Sequence, residues 1–91
     1  MADRIRAIVR GRVQAVGFRD FARREATALG LSGFVRNCPD GSVECVAQGP
    51  REALDRLVER LRVGPPIAHV ERVDVSEERG EERMQGFAIR Y

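Results

Sequence analysis

The sequence predicts an α+β sandwich, in which an antiparallel sheet carries two helices on one of its faces. Three observations lead there. Short stretches of two-residue alternation read as half-buried strands. Two segments with apolar residues at helical spacing lie between them. Taken along the chain, the order is β-α-β-β-α-β with a further strand at the C-terminus.

The first strand runs from Arg4 to Arg10, with Ile5, Ala7 and Val9 on one face and Arg4, Arg6 and Arg10 on the other. Phe18, Phe21, Ala22, Ala26 and Leu29 then recur at helical spacing, and Gly30 supplies a C-terminal stop. Leu31 to Cys38 is a second strand centred on Gly33, Phe34 and Val35. Pro39-Asp40-Gly41 makes a turn in which Pro sets φ and Gly supplies a positive one. Ser42 to Gln48 alternates Val43, Cys45 and Ala47 against Glu44, Val46 and Gln48, so the two strands form an antiparallel hairpin.

Gly49-Pro50 ends that strand, and Pro50 suits a helix start. Leu54, Leu57, Val58 and Leu61 form one apolar stripe, closed by Gly64-Pro65-Pro66. Each helix thus offers a single apolar face, as two helices on one side of a sheet require. From Ile67 to Ser76 the strand alternation slips: Ala68 and Val70 share one parity, Val73 and Val75 the other. A bulge near Glu71-Arg72 reconciles them. Glu77 to Arg83 reads as a charged, glycine-containing connection, and Phe87, Ile89 and Tyr91 alternate in a closing strand. The whole is the ferredoxin-like split pattern in a single domain, residues 1–91.

Composition narrows the function. Hydrophobic residues make up 43% and charged residues 33% of the 91, enough for one core and a well-solvated surface. No apolar run approaches the roughly 20 residues of a membrane helix, and the N-terminal residues lack a secretory h-region. A cytoplasmic location and no membrane partner are expected. All sixteen basic residues are Arg, but fourteen acids are interspersed among them and the net charge is only +2. That balance argues against a phosphate-backbone binder. Cys38 and Cys45 have no second pair for a zinc site and are expected as free thiols.

Between the first strand and the first helix lies Gly11-Arg12-Val13-Gln14-Ala15-Val16-Gly17-Phe18-Arg19. A loop at that junction turns unpaired backbone N–H groups toward one point, with a helix N-terminus behind them, and this is the recipe for an anion cradle. Arg19 opposes the helix dipole there, which is easier to explain if it faces an anion. The spacing fits neither the Walker loop nor the dinucleotide fingerprint. Taken alone, it also fits a plain glycine hinge with an exposed arginine.

The same stretch resembles the phosphate-loop signature of the acylphosphatase family. Gly33-Phe34-Val35-Arg36-Asn37, then Gly41-Ser42-Val43 and Gly49, resembles that family's second signature in residue type and spacing. The likeness spans essentially the whole chain, with Ala15 standing where the family usually has glycine. It implies hydrolysis of the carboxyl–phosphate mixed anhydride to a carboxylate and inorganic phosphate, with no metal or other cofactor. By resemblance, the backbone N–H groups of Gln14, Ala15, Val16, Gly17, Phe18 and Arg19 surround the phosphoryl oxygens. The Arg19 guanidinium binds them with its planar fork, and Asn37 holds the attacking water. The family's route uses the substrate phosphate as the proton acceptor. The partner implied is a small-molecule acyl phosphate, with inorganic phosphate as product and competitive inhibitor; a monomer is expected, with an exposed edge strand leaving dimerisation open.

Other machinery is hard to find in the sequence: His69 is the single histidine, and there is no paired carboxylate, no nucleophile with an evident base and no metal-ligand cluster. Without the resemblance, Asn37 reads as a strand-end residue bonding the Pro39-Asp40-Gly41 turn. Two other functions share the element order. An RNA-recognition module needs exposed aromatics on the central strands, where this chain has Ala7, Val9, Val43 and Cys45. An anion-binding accessory domain with poor turnover is the other. Ala15 carries its own expectation: a positive φ would strain its methyl, so a negative φ is predicted, with the methyl directed away from the phosphate.

Overall fold

Strands and helices follow the predicted order in the computed structural model, which describes residues 3–80 and 83–91. They are β1 (Asp3–Arg12), α1 (Phe18–Ala28), β2 (Ser32–Asn37), β3 (Val43–Gly49), α2 (Arg51–Val63), β4 (His69–Glu77) and β5 (Phe87–Arg90). The sheet order is β4-β1-β3-β2-β5. Four strands pair antiparallel, and β5 adds to the β2 edge in parallel. The parallel pairing makes the sheet mixed. Its cause is the connection after β4, which carries the chain from one edge of the sheet to the other. Two residues of that predicted connection, 81 and 82, lie outside the described residues.

The slipped alternation of the fourth strand has the expected cause. Arg10 pairs with Arg72 and Gly11 with Val70, which leaves Glu71 as the extra residue of a bulge. Gly11 is required at this crossing: a Cβ there would lie 2.2 Å from the His69 carbonyl oxygen. Beyond the bulge, β1 runs on through Arg12 and delivers the chain to the loop before α1.

Both helices cover the face that carries Ile5, Ala7, Val9, Val35, Val43, Cys45, Ala47 and Val73. Phe18, Ala22 and Ala26 come down from α1, and Leu54, Leu57 and Leu61 from α2. Each fully buried leucine contributes roughly 1.5–3 kcal/mol relative to an exposed one. On the other face, Glu44 is almost buried and accepts from Arg6 Nε at 2.5 Å and Arg36 Nε at 2.6 Å. Phe34 on that face is covered by the Arg90 guanidinium, 3.7 Å from its centroid.

Cys38 and Cys45 are free. Cys45 pairs with Val35, three residues from Cys38 in a strand register, or about 10 Å along the strand. That exceeds the reach of a disulfide. Burial pushes the Cys45 thiol up to about 12, so it behaves as a small apolar side chain. Among the described residues, no helix is long and apolar enough to cross a membrane.

Candidate active site

The chain leaves β1 buried at Val13 and turns through four residues before α1 begins at Phe18. Gly17 caps the helix with φ +76° and ψ +18°, a left-handed conformation that costs glycine nothing. The Phe21 N–H donates to its carbonyl at 3.0 Å, closing the first turn. Phe18 is fully buried and fixes the junction between loop and helix. Arg19 and Asp20 therefore project from the first turn at the positive end of the helix.

Ala15 overturns its expectation. Its φ is +60°, the only positive value among described non-glycine residues. The methyl penalty is on the order of 1–2 kcal/mol. Neighbouring anchors outweigh it: the Gln14 amide is tied to the hairpin, Val16 packs against the core, and Phe18 is buried. With both ends held, the backbone between them turns left-handed at Ala15 and again at Gly17.

Ala15, Gly17, Phe18 and Arg19 line a cleft of about 160 Å³ together with Val13, Asp20, Asn37, Ile89 and Tyr91. Arg19 and Asn37 are thus brought together, although they belong to different elements. The side chains of Gln14 and Val16 turn elsewhere, so of these two residues the backbone alone is left to act at the site. Asn37 ends β2 opposite Val43. Its side-chain amide makes no hydrogen bond to another described residue. The turn that Asn37 would brace on the reading without the resemblance is held by other groups: the Asp40 carboxylate accepts from Ser42 N at 3.0 Å and Ser42 Oγ at 2.6 Å.

Arg19 lies over the Tyr91 ring at 4.6 Å and donates to the Arg90 carbonyl at 3.3 Å. Tyr91 and Ile89 form a wall that sequence reasoning left out of the site. The alternation of Phe87, Ile89 and Tyr91 assigned them a common face, but only the parallel docking of β5 beside β2 carries that face to the loop. Asp20 was also missed. Its carboxylate turns to Arg23 at 2.8 Å and Arg24 at 3.0 Å. The Arg23 hydrogen bond, with help from Arg24, holds it below the usual carboxylate range. It stays ionised yet compensated beside the cleft. No cluster of three metal-ligating side chains occurs among the described residues.

Comparison with known proteins agrees over the full length. The acylphosphatase family model matches residues 5–89. An acylphosphatase of Caldivirga maquilingensis is 53% identical over 89 residues, 97% of this chain and 94% of the relative. One of Thiobacillus denitrificans is 60% identical over 82 residues, 90% of each chain. The crystal structure of acylphosphatase from Bacillus subtilis superposes with a TM-score of 0.94 at 44% identity, covering 100% of both chains. The loop, the cleft and these likenesses together show that the chain belongs to the acylphosphatase family.

Proposed function

We propose that the cleft hydrolyses acyl phosphates at the phosphorus, with the 14–19 loop as the phosphate-binding loop. One observation carries the assignment of roles: Arg19 and Asn37 open onto the same cleft, at the N-terminus of α1. The backbone N–H groups of Gln14 to Arg19 and the Arg19 guanidinium take the phosphoryl oxygens, where charge builds in the transition state. The Asn37 amide holds a water in line. The water oxygen bonds to phosphorus, the bond from phosphorus to the acyl oxygen breaks, and the carboxylate departs. The water's proton passes to the phosphate itself. A carboxylate is a good leaving group, so general acid catalysis is not required, and the Asp20 carboxylate at the cleft is engaged by Arg23 and Arg24.

A cleft of about 160 Å³ is small beside the ~300–1,000 Å³ of sites that enclose whole ligands. It suits the phosphoryl group, with the acyl part extending past Ile89 and Tyr91. Product phosphate occupies the same groups and inhibits competitively. One continuous core supports reading residues 1–91 as a single catalytic domain, which we take to act as a monomer in the cytoplasm. The small-molecule substrate is its partner, without nucleic acid or membrane, in keeping with acids interspersed among the arginines.

The test is benzoyl phosphate hydrolysis in EDTA by wild type, Arg19→Ala and Asn37→Ala. Wild type turns over in chelator. Arg19→Ala loses phosphate binding, and Asn37→Ala loses about 100-fold or more in kcat while keeping phosphate inhibition. A fully active variant removes that residue from the mechanism.

A further inference from the structure

We infer that Gln14 is a positioning residue that sets the distance between the phosphate loop and Asn37. This rests on the reading of Asn37 as the water-holding residue. The Gln14 Nε2 donates to the Cys38 carbonyl at 2.8 Å and the Ser42 carbonyl at 2.9 Å. Both acceptors are carbonyl oxygens, so only the NH₂ end of the amide satisfies them, and it spends both of its hydrogens doing so.

The two acceptors sit at the end of the hairpin. Cys38 follows Asn37 directly, and Ser42 directly precedes Val43, the partner of Asn37 across the ladder. The Cys38 N–H also donates to the Ser42 carbonyl at 2.8 Å, and the Gly41 N–H to the Cys38 carbonyl at 3.1 Å. One side chain from the loop therefore bolts both strands of the hairpin immediately beyond the Asn37 pair. Gln14 neighbours Ala15, whose left-handed backbone begins the turn around the cleft. A shift between loop and hairpin is a shift between phosphorus and water, and a displacement of about 1 Å costs on the order of 100-fold in rate.

Because each carbonyl keeps a backbone donor, removing Gln14 orphans no acceptor, and the variant folds. Gln14→Ala removes the strap, and Gln14→Met removes it while keeping the length of the side chain. Both are compared with wild type, Asn37→Ala and the double variants, with kcat for benzoyl phosphate and inhibition by inorganic phosphate measured throughout. The expected result is a loss of about tenfold or more in kcat with phosphate inhibition within about twofold. In the Asn37→Ala background the same substitutions cost nothing further. Equal losses in both backgrounds, a parallel loss of phosphate inhibition, or undiminished kcat would overturn the inference. Wild-type kcat in Asn37→Ala alone would instead sink the role of Asn37, and that variant keeps Gln14.

Discussion

The Arg19 guanidinium rests over the Tyr91 ring, 4.6 Å from its centroid, and donates to the carbonyl of Arg90 next to it. The cation is thereby held at the cleft before any anion arrives, which lowers the cost of ordering a long side chain on binding. A cation–π contact at an exposed ring is worth about 0.5–1 kcal/mol. Tyr91→Ala is therefore expected to weaken phosphate inhibition by about two- to fivefold, with unchanged thermal stability. Arg19→Lys keeps the charge but loses the fork, and weakens it by about tenfold or more. Inhibition constants for inorganic phosphate check both, and equal affinity in Arg19→Lys would show that the fork is not used.

Strain at Ala15 makes a stability prediction. Glycine at φ +60° carries no methyl penalty but loses more freedom on folding. The difference leaves Ala15→Gly more stable by up to about 1 kcal/mol, while the β-branched Ala15→Val is less stable by more than that. Urea unfolding measures both. A Gly variant destabilised by 1 kcal/mol or more would mean the methyl contributes packing that outweighs its strain.

Glu44 predicts a pH dependence. Burial pushes its carboxyl up, but the hydrogen bonds from Arg6 and Arg36 outweigh this and hold it below the usual carboxylate range. A group depressed in the folded state stabilises fully above its unfolded value, about 4.3, and loses that contribution as pH falls through the folded value. Wild type is therefore more stable than Glu44→Gln at neutral pH, and the two converge in acid. Unfolding midpoints from pH 3 to 7 follow the difference, and a gap that widens toward acid would contradict the sign.

Gly11 marks the point where β1 meets the bulge of β4. A methyl there meets the His69 carbonyl and, at 2.8 Å, the Glu71 nitrogen, at a backbone φ of +131°. Neither backbone group yields cheaply, so Gly11→Ala costs about 2 kcal/mol or more. Because β1 feeds the loop, activity falls as well. Calorimetry and turnover under the same conditions report the two effects, and a variant unchanged in both would mean that the bulge relaxes freely.

Much of this fold was legible residue by residue. The parity change between Val70 and Val73 placed a bulge near Glu71-Arg72, which the register fixes at Glu71, and the Pro39-Asp40-Gly41 sequence located the hairpin turn. The site was legible in part. Arg19 and Asn37 were named through a family resemblance, and the cleft does join them. Gln14 was named for its backbone alone, while its side chain reaches a turn at positions 38 and 42 that no local pattern connects to it. Asp20, Ile89 and Tyr91 were not named at all.

The sequence by itself determined the order of elements, the faces they bury and the glycines at their turns and helix ends. Those features follow from side-chain period and steric limits within a few residues. Only the tertiary structure decided that β5 joins β2 in parallel, that Tyr91 lies under Arg19, and that Ala15 turns left-handed. Each depends on segments far apart in the chain. At Ala15, a local preference of about 1–2 kcal/mol yielded to the anchoring of its neighbours at Gln14, Val16 and Phe18, which only the assembled fold supplies.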